Sequence, residues 1–167
     1  MPSSKISTVS GARSIVETFE GHPNAATVAW DLVRKGFRGC WIFALGTNEA
    51  ANIHDGSNVG EADRIARMMS ITGQGAVLWV DATSLVRSGD YAADLMQRWN
   101  QELVASCTRY PTLRVFDWAA VAHRQWFIAD GIHYTSPGYV ARTHAIAQAL
   151  VKAFPENVPP SAGCLVR

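Results

Sequence analysis

Apolar positions along the chain change spacing several times, and each change marks an element. Ile6 to Val9 is a short β-branched run closed by Ser10-Gly11, and it predicts a strand. From Asn24 to Lys35 the residues Ala25, Val28, Ala29, Leu32 and Val33 recur at helical spacing, and Gly36 and Gly39 stop the helix. Cys40-Trp41-Ile42-Phe43-Ala44-Leu45 is unbroken apolar sequence that opens into Gly46-Thr47-Asn48, the pattern of a strand buried on both faces of a parallel sheet. The alternation continues. Glu61 to Thr72 reads as a helix, Ala76 to Val80 as an apolar strand, Tyr91 to Cys107 as a long amphipathic helix and Leu113 to Phe116 as another strand. After Asp117 an irregular stretch runs to Asp130, and Pro137 to Ala153 forms a last helix that is expected to bury Tyr139, Ile146, Ala147 and Leu150.

Strands alternating with helices predict a three-layer α/β fold around a parallel sheet. Residues 1–154 are expected to form one domain, and 155–167, rich in Pro and Gly, a flexible tail. In such sheets ligands bind outside the carboxyl ends of the strands, so the loops after strands are where chemistry is sought. Three stand out: Ser10-Gly11, Gly46-Thr47-Asn48, and the loop from Asp130 to His133.

Composition narrows the partners. Of 167 residues 48% are hydrophobic and 17% charged, which suits a packed domain; 15 basic against 14 acidic residues, scattered, create no field for nucleic acid or anionic lipid. No apolar run approaches a membrane span, and Met1-Pro2-Ser3-Ser4-Lys5 leads into no signal-peptide apolar region; read literally, the chain is a soluble, cytoplasmic one. Cys40, Cys107 and Cys164 form no CxxC and no Cys/His group, so no structural metal is expected; one disulfide between two of the three stays open. Neither GxGxxG nor a P-loop is present, which argues against a nucleotide-binding regulator, and no cofactor is expected.

Asp130-Gly131-Ile132-His133 places a carboxylate three residues before a histidine, just ahead of a helix start. A histidine acting as general base needs a partner on its second nitrogen, and an aspartate in the same short loop supplies one. Each element also has a plainer reading. Gly11 is a turn glycine, Asn48 caps a helix or satisfies local backbone, and Asp130 with His133 form a helix-start pair before Thr135 or Ser136 as cap. Trp79, Trp99 and Trp118 read as core, whereas Trp126 and Phe127, just before Asp130, are kept as a cleft wall. His22, His54, His123 and His144 show no metal spacing and read as surface or capping residues. Glu49 either tunes the Asn48 loop or faces water.

Taken in order, Gly11, Gly46-Thr47-Asn48 and Asp130-Gly131-Ile132-His133 resemble the later sequence blocks of the SGNH/GDSL hydrolase family over roughly residues 6 to 153. The similarity is to SGNH domains of actinobacterial cell-envelope proteins, some of which are attached to membrane acyltransferase modules. It implies a flavodoxin-like sheet and serine esterase or O-acyltransferase chemistry on acyl esters or acylated glycans. His133 would be the base, Asp130 its orienter, and the Gly11 backbone with the Asn48 side chain the oxyanion hole. Full-length relatives would act in the cell envelope or outside the cell.

One block of the family pattern is missing. A strand leading to Gly-Asp-Ser, followed by a helix, belongs before Ile6, but Gly-Asp-Ser occurs nowhere; Ser88-Gly89-Asp90 has the wrong order, and Ser3 and Ser4 lack a strand-to-helix turn. The expectation is a truncated or degenerate relative, lacking the first strand and helix and inactive as it stands. Two rival classes follow. A non-catalytic domain would hold a glycan or acyl ligand in the same cleft. A metal-dependent hydrolase using Asp130 and His133 as ligands is disfavoured, because no second carboxylate or histidine cluster accompanies them.

Overall fold

A computed structural model describes residues 6–167. Its regular elements are α1 (Ala25–Arg34), β1 (Trp41–Phe43), α2 (Thr47–His54), α3 (Glu61–Thr72), β2 (Val77–Val80), α4 (Ala93–Ala105), β3 (Leu113–Phe116), α5 (Trp118–Val121), α6 (Ser136–Ala153) and β4 (Leu165–Val166). The strands form one all-parallel sheet in the order β1-β2-β3-β4. The protein is therefore α/β, with helices on both faces of the sheet.

Side chains alternate across a strand, so each register row serves one face. Trp41, Phe43, Val77, Trp79, Leu113 and Val115 point to the face covered by α1, α3 and α4, where they meet Ile65, Met68, Trp99 and Leu103. Leu78, Val80 and Phe116 point the other way, toward Trp118 and the Ala149 and Ala153 positions of α6. That second face is thinly covered. Ile42, paired with Leu78 in register, is 46% exposed, so the strand expected to be buried on both faces is buried on one. For the same reason Tyr139 and Ala147 of α6 are exposed rather than buried, while Ile146 and Leu150 are half-buried.

Local chemistry sets the helix ends. Asn24 caps α1 by accepting from the Thr27 N–H at 2.9 Å, and Gly36, at φ +92°, takes the left-handed turn that follows it. Thr135 caps α6 by accepting from the Gly138 N–H at 3.1 Å, with Pro137 in the first turn.

Two expectations are corrected. Ile6 to Val9 is not a strand: all four residues are exposed, Val9 at 93%, and the run pairs with no strand among the described residues. Residues 155–167, expected as a flexible tail, end in β4, paired with β3, and Cys164 is bonded to Cys107 across 57 residues of sequence. Arg114 Nε donates to the Ser161 carbonyl at 2.7 Å, and Arg167 Nε to Asp117 Oδ2 at 2.7 Å. Short strands with one partner leave little periodicity to read, and the disulfide pairing depends on distant contacts. Cys40 is an exposed free thiol. No helix among the described residues is long and apolar enough to cross a membrane.

Candidate active site

The loop from Phe127 to Tyr134 is clipped at its base by an antiparallel bridge between those two residues and by the Ile128 N–H donating to the His133 carbonyl at 2.9 Å. At its tip Gly131 has φ +71°, and a Cβ there would lie 3.2 Å from Leu85 Cβ; the Leu85 N–H donates to the Gly131 carbonyl at 2.8 Å. Glycine is needed both for the backbone turn and for the close approach. The Leu85 bond ties the loop to the segment that leaves the carboxyl end of β2.

Asp130 uses both oxygens. Oδ1 accepts from the Ile132 and His133 N–H groups at 2.8 and 2.9 Å, and Oδ2 faces His133 Nδ1 at 2.7 Å. The backbone bond from Ile132, then the His133 ring and N–H, lower the Asp130 carboxyl to about 2, so it is ionised throughout the neutral range. An ionised carboxylate only accepts, so Nδ1 carries the hydrogen and the lone pair of a neutral ring resides on Nε2. The His133 side chain is 66% exposed and that nitrogen is accessible. Among the described residues no hydroxyl or thiol is hydrogen-bonded to the imidazole.

Gly11 lies in the irregular segment that precedes α1, and Asn48 is the second residue of α2, the helix that follows β1. The structure joins these regions: Asn48 Nδ2 donates to the Arg13 carbonyl at 3.2 Å, which leaves its second amide hydrogen for another acceptor. Gly46, which precedes α2, is packed so closely that a Cβ would come within 2.5 Å of Trp99 Nε1. Gly11 itself has open space where a Cβ would be. Asn48 with the Gly11 segment is one pair and Asp130 with His133 another. Both are placed on the carboxyl edge of the sheet, and no hydrogen bond connects them.

Glu49, read from sequence as tuning the Asn48 loop or facing water, holds the first pair together with Glu17 and Arg64, which the sequence did not single out. Glu49 is fully buried and faces no water: Oε1 accepts from the Ile15 N–H at 2.6 Å, and burial raises its carboxyl against that bond. Arg64, also fully buried, donates to Glu17 through both terminal nitrogens, to Ser57 Oγ at 2.8 Å, to Ser14 Oγ at 3.2 Å and through Nε to the Val59 carbonyl at 2.8 Å. Burial alone would raise the Glu17 carboxyl, but the bonds from Arg64, Ser14 and Ser57 hold it well below the usual carboxylate range. The signal was present for Arg64, which stands on the same stripe as Met68 and Ile71 of α3. For Glu17 no such signal exists, and Glu49 was marked only by its place beside Asn48.

Asp81 directly follows β2 and is 4% exposed. Its Oδ1 accepts from the Ala119 N–H at 2.8 Å, and burial, with the Asp117 charge beside it, raises the carboxyl to about 7. Trp118 is fully buried and stacks on Trp126 at 5.6 Å, while its Nε1 donates to Tyr134 Oη at 2.7 Å. Trp126 thus backs the His133 loop from the α6 side, and Phe127, 8% exposed, lines a cavity of about 480 Å³ beside Asp130. Trp79 and Trp99 are core. His54 pairs with Asp90 at 3.0 Å, both exposed; His22, His123 and His144 are exposed. Among the described residues no three His, Cys, Asp or Glu side chains gather at one point.

The fold and the site together define a parallel α/β domain with an oriented His–Asp pair at the carboxyl edge of its sheet. No protein-family model and no curated protein matches the chain.

Proposed function

We propose that this is an SGNH-type domain of flavodoxin-like architecture that acts on acyl esters, as an esterase or O-acyltransferase, with His133 as general base and Asp130 as its orienter. The observation that carries this reading is the Asp130 carboxylate, fixed by two backbone N–H groups and facing His133 Nδ1 at 2.7 Å while Nε2 is accessible. The Gly11 N–H and the free Asn48 amide hydrogen supply the oxyanion donors. The reading requires a nucleophilic serine within reach of His133, and no described hydroxyl is hydrogen-bonded to the ring; a further strand adding beside β1 would bring one. The open edge of β1 leaves room for such a strand.

In this mechanism the serine attacks the acyl carbonyl, His133 Nε2 takes its proton, and the oxyanion forms against Gly11 and Asn48. His133 then returns the proton to the departing alcohol; water, or an acceptor alcohol in a transferase, reverses the sequence. Ionised Asp130 stabilises the imidazolium throughout.

The test is a fusion that places a strand, a Gly-Asp-Ser turn and a helix ahead of Ile6, assayed with a short-chain aryl ester. The reading expects turnover that falls by about 10³-fold or more on Ser→Ala or His133→Ala. A folded fusion whose activity ignores His133 contradicts it. The absence of a hydroxyl on His133 also favours a second reading, a domain that binds an acyl or glycan ligand without turnover. Saturable binding to the folded fusion without hydrolysis would select that one.

A further inference from the structure

Residues 155–167 are fastened to the body by several weak contacts and one covalent bond. β4 has two residues and a single neighbour: the Val115 N–H donates to the Cys164 carbonyl at 2.8 Å and the Asp117 N–H to the Val166 carbonyl at 3.0 Å. Val166 is the one buried residue of the segment. Its other fastenings are polar, and most are open to water. Arg167 Nε reaches Asp117 Oδ2 at 2.7 Å from a side chain that is 67% exposed, Lys152 Nζ donates to the Arg167 carbonyl at 2.7 Å, and Arg114 Nε donates to the Ser161 carbonyl at 2.7 Å. Exposed pairs hold weakly against solvent and salt. The bond between Cys164, which immediately precedes β4, and Cys107, just past α4, is different in kind. It keeps β4 beside its partner strand however often the weaker contacts open; without it the strand would hang from α6 by residues 154–163.

Cys107 and Cys164 are half-buried rather than sealed in the core, so a small thiolate can reach the bond. The rest of the sheet does not depend on β4: β2 pairs with β1 on one side and β3 on the other, and apart from Val166 the two core clusters are built on those three strands and the helices over them. We infer that β4 is a redox-held latch: two-electron reduction of the Cys107–Cys164 bond releases residues 155–167 from the edge of β3, while the other three strands and their helices stay folded. In the exchange one thiolate of a dithiol attacks a cysteine sulfur and forms a mixed disulfide. The reagent's second thiol then closes its own disulfide, and the protein is left with two thiols. Release takes from Asp117 both the Val166 carbonyl and the Arg167 guanidinium. Asp117 opens α5 by accepting from the Ala120 N–H at 3.2 Å, and that helix carries Trp118, whose Nε1 donates to Tyr134 beside His133. The latch thus braces the helix behind the His133 loop, and it holds whether or not the domain turns over esters.

The test is amide hydrogen exchange on ¹⁵N-labelled protein before and after treatment with dithiothreitol, with reduction followed by thiol titration. The expected result is exchange at least about tenfold faster at the Val115 and Asp117 amides. The Val77 N–H, which donates to the Thr112 carbonyl at 3.0 Å inside the sheet, should keep its protection. The double variant Cys107→Ser, Cys164→Ser, never exposed to reductant, should reproduce the reduced pattern, and reoxidation of the wild type should restore the original one. Unchanged exchange at Val115 and Asp117 in the reduced protein or the double variant would show that non-covalent contacts hold β4, and overturns the inference. Loss of protection at Val77 together with them overturns it as well, because the bond would then staple the whole fold. A bond that dithiothreitol leaves intact in the folded protein is no latch.

Discussion

The segment from Gly11 to Glu17 and the loop from Asp130 to His133 both lack regular secondary structure and both border the carboxyl edge of the sheet, yet they are held in opposite ways. The His133 loop is self-contained: one aspartate satisfies two backbone N–H groups and orients the ring three residues on, largely in contact with water. The Gly11 segment owes its position to side chains 34 to 50 residues away, fully buried Glu49 and Arg64 with half-buried Asn48 and Ser57. A short turn suffices to orient a base. A backbone donor presented by an irregular strand of chain needs an external frame, and here that frame pairs fully buried Arg64 with one-third exposed Glu17, which is costly to disturb.

The largest effect should come from breaking that frame. Arg64→Met strips Glu17, Ser14 and Ser57 of their donor and should destabilise the fold by about 3 kcal/mol in urea unfolding, the low end for a buried pair because the Glu17 side chain is one-third exposed. The Asn48 and Gly11 resonances should move while those of Asp130 and His133 stay, which sharpens the contrast; movement of both regions together would dissolve it.

Next is Asp81, which directly follows β2. Its carboxyl lies near 7 when folded against about 3.8 unfolded, so the folded state holds its proton more tightly. The resulting stabilisation is fully present below about pH 4 and is lost as pH rises toward 7, about 1.4 kcal/mol for each unit crossed at most. Asp81→Asn keeps an acceptor for the Ala119 N–H and should flatten this part of the stability profile. Comparing thermal unfolding of the two proteins at pH 4.5 and 8 checks it; equal pH dependence would show that Asp81 is not held protonated.

Two smaller changes probe the loop. Gly131→Ala forces a side chain into a left-handed backbone conformation and against Leu85, and should cost about 1 to 2 kcal/mol while displacing the His133 ring. Asp130→Asn should leave the unfolding midpoint within error of the wild type, since the pair is exposed, but change the ¹⁵N tautomer signature of the His133 ring. A ring signature unaltered by Asp130→Asn would show that the aspartate does not set the tautomer.

What was legible in the sequence follows the same division between near and far. The helices over Ala25–Arg34 and Glu61–Thr72 and the strands at Val77–Val80 and Leu113–Phe116 carry periodicity and stop signals within a few residues, and the sequence placed them accordingly. The Asp130 to His133 geometry was legible because both partners sit in one turn. Ile6 to Val9 misled because β-branched residues fit a strand but do not supply its partner. Ile42 misled because apolar character does not reveal whether a second layer exists to cover it. The Glu17, Glu49 and Arg64 frame was legible only through the stripe position of Arg64 and the place of Glu49 beside Asn48, because each partner is an ordinary charged residue until the fold assembles them.

The measurement that bears most directly on the site is a methyl acetate titration of ¹⁵N-labelled protein, following the Gly11 N–H, the Asn48 side-chain amide and the His133 ring nitrogens together. If the locally built base and the remotely framed oxyanion donors serve one ester, all three sets of signals shift with a single saturation curve. Shifts confined to one pair, or curves that saturate independently, would mean that the two regions do not form one active site.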